Sequence, residues 1–205
     1  MDMEGTLIDH SFSNAIWEKE IPRLYAEKHG YDIDTALTKV KAEYSTVGDR
    51  RVEWYDVGYW FRRWSLEIDW RRLIRENAHL INVYPEVAEA LHKLRRVYPL
   101  VVSSNTIRDF LELQLEVVGG PFAHVFSAPS DFKIVKKDEE FFKRILVVLG
   151  LEPYQMAHVG DHREFDYSAA RRLGVKAYYI DRSRVARGQE IVHDMLEFAD
   201  RLIDA

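Results

Sequence analysis

Acidic side chains cluster at the start of this chain and again far downstream. Asp2 and Glu4 stand two residues apart ahead of Gly5-Thr6, and Gly160-Asp161 is followed by Asp166. A glycine directly after Glu4 lets a backbone leaving a strand turn, which brings both carboxylates to one loop. In the second string the apolar run Met156 to Val159 ends in Gly160-Asp161, and Asp166 falls at the start of a helix. One of these two acids can reach a metal while the other supports it through water or a lysine. Lys136, in Lys136-Lys137-Asp138, sits just ahead of an amphipathic segment, where a lysine is most often simply solvated. Ser103-Ser104-Asn105 closes another apolar run. Carboxylates and hydroxyls gathered at one edge of a sheet suit a hard divalent cation and an oxyanion.

That gathering requires a particular arrangement of elements. From 13 to 80 every periodic segment is helical: Ala15 to His29, Thr35 to Tyr44, Trp54 to Leu66 and Trp70 to Leu80, separated by Gly30, Val47-Gly48 and Ile68-Asp69. Beyond Val83-Tyr84-Pro85 short β-rich runs alternate with helices. The strands are expected at 100–102, 124–126, 156–159 and 176–180, and the helices at 86–96, 107–118, 138–149 and 166–173. Such alternation predicts parallel βαβ units in an open, doubly wound α/β sheet. In such sheets function sits past the carboxyl ends of the strands. Ser104, Asn105, Ser127, Asp161 and Asp181 all follow strand ends. No internal repeat or low-complexity tract is present.

Composition narrows the function. The chain has 205 residues, 47% of them hydrophobic and 13% aromatic, enough for a core with an appended lobe. With 29 Lys+Arg against 34 Asp+Glu the net charge is only -5, and no basic stripe is present, so no nucleic-acid partner is expected. The absence of cysteine excludes disulfides, thiolate zinc sites and a cysteine nucleophile. No apolar run is long enough to span a bilayer and no signal-peptide core follows Met1, so a soluble, cytoplasmic protein without membrane contact is expected. Few Asn and Gln among many charges would suit a hot source.

Taken in order, Asp2-x-Glu4-Gly5-Thr6, a strand ending in Ser104-Asn105, Lys136, and Gly160-Asp161-x-x-x-x-Asp166 resemble the motifs of the haloacid dehalogenase-like superfamily, in its helical-cap phosphatase branch. The likeness covers 1–10 and about 83–182, including Ala169 to Val175 after the last motif. It implies an α/β core over 1–12 and 81–205 with a helical cap over 13–80. It also implies a Mg²⁺-dependent phosphomonoester hydrolase acting on a small phosphorylated metabolite. Asp2 would attack phosphorus to give an aspartyl-phosphate, and Glu4 would protonate the leaving group and then activate water. Mg²⁺ would be held by Asp2, the Glu4 backbone carbonyl and Asp161, with Asp166 supporting the metal or Lys136. Lys136, Ser104 and Asn105 would bind the phosphoryl oxygens.

Two departures stand out. The superfamily's phosphatases usually carry Asp where this chain has Glu4. Only Met1 precedes Asp2, where the superfamily has a central strand. A natural start upstream, or a shortened first strand, is the expectation drawn from that. A 2-haloacid dehalogenase would use the same nucleophile, but it has little use for Asp161 with Asp166 and Glu4. A phosphomutase and a non-catalytic binding module are further alternatives. The segment Trp54-Tyr55 to Trp64 is unusual, and aromatics at helical spacing more often form lid core or a dimer face than a substrate platform. His10 and His162 lie near the site but are expected to be exposed loop residues. A monomer and a homodimer both fit.

Overall fold

The computed structural model describes residues 1–204. Between Ile8 and Ile81 every regular element is a helix. The chain runs through α1 (Ser11–Ala15), a π-turn at Ile16–Glu20, α2 (Ile21–His29), α3 (Ile33–Val47), α4 (Val52–Tyr55), α5 (Val57–Arg63), α6 (Trp70–Glu76) and a 3₁₀ turn at Ala78–Leu80. Gly30 ends α2 in the left-handed region at φ 70°, and the Asp32 carboxylate caps α3 by accepting from Thr35 N–H. The helix expected over Trp54 to Leu66 is broken at Asp56, whose extended backbone separates α4 from α5.

The remainder alternates. The elements are α7 (Val87–Leu94), β1 (Leu100–Ser104), α8 (Arg108–Val118), β2 (Phe122–Ser127), a π-turn at Ala128–Phe132 and α9 (Glu139–Leu149). They continue with β3 (Ala157–Gly160), a π-turn at Arg163–Ser168 leading into α10 (Ala169–Arg172), β4 (Lys176–Ile180), β5 (Ile191–Val192) and α11 (Met195–Ile203). Every strand pair is parallel: β1 with β2, β3 with β4, and β4 with β5. Crossover helices then cover both faces of the sheet. In α7 the spacing of Val87, Ala90, Leu91 and Leu94 makes one buried stripe, which packs against α11. On α9 the buried Phe141, Phe142, Ile145 and Leu146 cover the opposite face together with α10.

The two sheet halves are joined by the first residues of the chain. The Met1 ammonium donates to Val101 O at 2.8 Å, Ser103 N–H to Met1 O at 2.9 Å, and Asp2 N–H to Val159 O at 2.9 Å. Met1 and Asp2 therefore pair with β1 on one side and β3 on the other as a two-residue central strand, while Met3 O already accepts from the N–H groups of Thr6, Leu7 and Ile8 in the turn that follows. Toward the opposite end an apolar groove of about 480 Å³ lies between the same strands, lined by Leu100, Val101, Leu151, Met156 and Phe198. The ends of the helical segment are stitched together by Asp9 N–H to Asn82 O at 3.0 Å and Tyr84 N–H to Leu7 O at 3.1 Å.

The aromatics of the helical segment are mostly its own core. Trp60 and Phe61 are buried, Trp64 packs on Trp60 at 4.9 Å between ring centroids, and Tyr44 meets Trp60 edge-on at 4.7 Å. Truncating a fully buried ring of this kind typically costs about 3–5 kcal/mol. No helix among the described residues is long and apolar enough to cross a membrane.

Candidate active site

The central strand and β3 end side by side: Asp2 closes the first, Asp161 directly follows β3, and Asp166 lies in the π-turn after it. Asp2 is buried, and one carboxylate oxygen from each of Asp2, Asp161 and Asp166 lies within 4.8 Å of the others. Two glycines make this approach possible. Gly5 turns at φ 72°, and a Cβ there would collide with the Asp161 carboxylate; a Cβ at Gly160 would collide with that of Asp166. The turn is also held from outside. Arg182 donates through Nε to Gly5 O at 3.1 Å and also to Thr6 O, pairs with Glu86 at 2.8 Å, and stacks on Tyr84.

The lysine of the site is Lys137, which corrects the expectation for Lys136. Lys137 Nζ sits 2.6 Å from Asp2 Oδ1 and 2.5 Å from Asp166 Oδ1, and its side chain is buried. Lys136 points the other way. Its Nζ pairs with Asp49 of the helical segment at 2.6 Å and lies over the Phe165 ring. Asp138 caps α9 by accepting from Phe141 N–H at 3.0 Å, so Lys137 is the residue just before the cap. From there its side chain runs into the buried acids, with Nζ also 3.5 Å from Ser103 O.

Asp166 serves the lysine more than open space. Its Oδ1 takes Lys137 and His158 Nε2 at 2.8 Å, and its Oδ2 accepts from His162 N–H at 3.1 Å. Burial opposes its ionisation, yet Lys137 and the His158 hydrogen bond hold its carboxyl below the usual range. Burial, aided by the charges of Asp166 and Asp161, pushes Asp2 up to about 8 against the pull of Lys137. Burial also disfavours the Lys137 ammonium, but the two aspartates outweigh it and keep its pKa above the ordinary lysine value. Three carboxyl groups thus share one ammonium, too little positive charge for all of them to ionise readily in a buried site. Hard oxygen donors carrying excess negative charge are the chemistry that suits a small divalent cation.

Glu4 stands apart from this group. Its carboxylate lies outside the converging acids, and Oε1 accepts from Ser13 Oγ and from Gln114 Nε2 at 2.6 Å. Burial raises its pKa, opposed by those two hydrogen bonds. Ser104 is buried at the end of β1, where its Oγ accepts from Thr106 N–H at 3.2 Å, and the buried Asn105 Oδ1 has no hydrogen-bond partner among the described residues. His10 is half exposed, with Nε2 3.5 Å from Asp161 Oδ2, and that contact raises its pKa. His162 uses Nδ1 to cap the π-turn, accepting from Glu164 and Phe165 N–H.

Sequence reasoning missed Lys137, Ser13 and Gln114. Gln114 had a readable signal, since it occupies a buried position on the same face of α8 as Phe110 and Leu111.

The sequence model of the haloacid dehalogenase-like hydrolase family matches residues 1–174. The chain belongs to that family. It is 24% identical to the GMP/IMP nucleotidase YrfG of Escherichia coli over 184 residues, which is 86% of this chain and 78% of the relative. It is 33% identical to a phosphoserine phosphatase of Thermus thermophilus over 116 residues, 47% of each chain. In fold it is similar to a haloacid dehalogenase-like phosphatase of Thermococcus onnurineus, with a TM-score of 0.82, 23% identity, and coverage of 98% of this chain and 95% of the other. The protein is therefore a hydrolase with the family's Rossmann-like core and a helical insertion.

Proposed function

We propose that this hydrolase is a Mg²⁺-dependent phosphomonoesterase that acts on a small phosphorylated metabolite, with Asp2 as nucleophile. The observation that carries the reading is Lys137 seated between Asp2 and Asp166 beside Asp161. Buried carboxylates at this density need cationic company, and a phosphoryl group brings more negative charge, so a cation that lets anions approach is required. Asp2 and Asp161, with the Glu4 backbone carbonyl, would hold Mg²⁺, and Asp166 would brace Lys137 behind them. The ion would supply charge neutralisation for the incoming phosphate.

The chain's own groups account for the rest. An Asp2 oxygen forms a bond to phosphorus as the ester P–O bond breaks, and the leaving oxygen takes a proton from Glu4. Water then attacks the phosphorus of the aspartyl-phosphate, gives its proton to Glu4, and releases phosphate and free Asp2. Lys137 stabilises charge on the Asp2 carboxylate and on the oxygens of the transferring group, and Ser104 and Asn105 at the end of β1 offer further polar contacts. A carboxyl set apart from the nucleophile, as Glu4 is, suits the leaving-group side of an in-line displacement. The helical segment would close over the site and exclude water, and the Lys136–Asp49 pair spans the two parts. The nucleotidase and phosphatase names of the two relatives support the same class.

Hydrolysis of p-nitrophenyl phosphate with Mg²⁺ and with chelator tests this reading. Turnover that requires the metal is expected. Equal turnover in excess chelator would contradict it.

A further inference from the structure

Gln114 has no place in the scheme so far, yet it is fully buried and polar at a position where α8 otherwise presents Phe110 and Leu111. Its Nε2 donates to Glu4 Oε1 at 2.6 Å, and Ser13 Oγ of α1 donates to the same oxygen. The amide orientation follows from that contact. With nitrogen and oxygen exchanged, the carboxylate that Glu4 becomes once it has given up its proton would face a second acceptor. The outcome leaves Gln114 Oε1 buried without a hydrogen-bond partner among the described residues. An unpaired buried acceptor costs free energy that an apolar side chain of similar size would not incur, so packing alone gives no reason for glutamine here.

We propose that Gln114, with Ser13 as second donor, is a positioning residue for Glu4; this rests on the phosphatase reading above. Two donors on Oε1 occupy that oxygen and fix the plane of the carboxyl. Proton exchange is thereby left to Oε2, which gives its proton to the leaving oxygen as the P–O bond breaks and takes one from the attacking water afterwards. Ser13 lies on the first helix of the insertion and Gln114 on α8 of the core, so the acid is held from both parts of the molecule.

The test compares phenyl phosphate, whose phenolate needs a proton to leave, with p-nitrophenyl phosphate, whose leaving group needs it far less. Gln114→Met should lower kcat on phenyl phosphate about tenfold more than on the nitrophenyl ester, with KM little changed. Ser13→Ala should shift the same ratio in the same direction, which keeps the test open if Gln114→Met folds poorly. Adding Gln114→Met to Glu4→Gln should cost nothing further, because the first residue acts through the second. Equal losses on both esters, or additive losses in the double variant, would overturn the positioning role while leaving the phosphatase reading intact. A wild-type protein that hydrolyses neither ester would overturn both.

Discussion

At the scale of single residues the decisive feature is the difference between Lys136 and Lys137. Lys137 is enclosed by two aspartates, and removing its charge would leave Asp2 and Asp166 facing each other in a buried site. Lys137→Met is predicted to abolish turnover and to destabilise the fold by about 3–5 kcal/mol, the usual cost of stranding a buried charge. Lys136→Ala is predicted to unfold as wild type does and to retain turnover, since its partner Asp49 lies on the exposed rim. Parallel urea denaturation and ester hydrolysis check both. Loss of catalysis confined to Lys136→Ala would reverse the assignment.

Among the elements, the sequence was most legible where periodicity and caps agree. The strand at 176–180 and helices α7, α8 and α9 fall within two residues of expectation at most ends, because apolar spacing, Asp138 and the terminal glycines all mark them. The motif acids converge because Asp2 and Asp161 stand at neighbouring strand ends and the π-turn after β3 brings Asp166 back to them. What stayed hidden depended on three-dimensional packing. The break at Asp56 and the π-turns at Ile16–Glu20 and Arg163–Ser168 leave no periodic signature of their own. The short β5 and helix α11 follow a loop with no clear strand pattern, although Asp194 caps α11 by accepting from Glu197 N–H. Ser13 and Gln114 are remote from Glu4 along the chain or on another helix, so only the folded arrangement brings all three together.

For the whole molecule, burial of basic groups beside the central strand makes stability depend on pH. His158 is buried next to Asp166 and near the Met1 ammonium, and burial chiefly lowers its pKa to about 4 from 6.5. The folded state therefore keeps His158 neutral while the unfolded chain takes up a proton, so stability falls as pH drops from 6.5 toward 4. The contribution is on the order of 3 kcal/mol across that window. The Met1 amine acts in the same direction between 8 and about 5, whereas Asp2, raised to about 8, favours folding at the acid end. His158→Gln retains a donor for Asp166 and removes the titration, so its denaturation midpoint should depend less steeply on pH between 6.5 and 4 than that of wild type. Identical slopes in the two proteins would contradict this account.

The central claim is that Asp2 accepts the phosphoryl group, and trapping that bond tests it most directly. Protein mixed with p-nitrophenyl phosphate and Mg²⁺, quenched in acid during turnover and digested, should carry one phosphoryl group on the peptide that contains Asp2. Asp2→Asn should carry none and should not turn over. An unmodified Asp2 peptide together with wild-type rates in Asp2→Asn would contradict the mechanism.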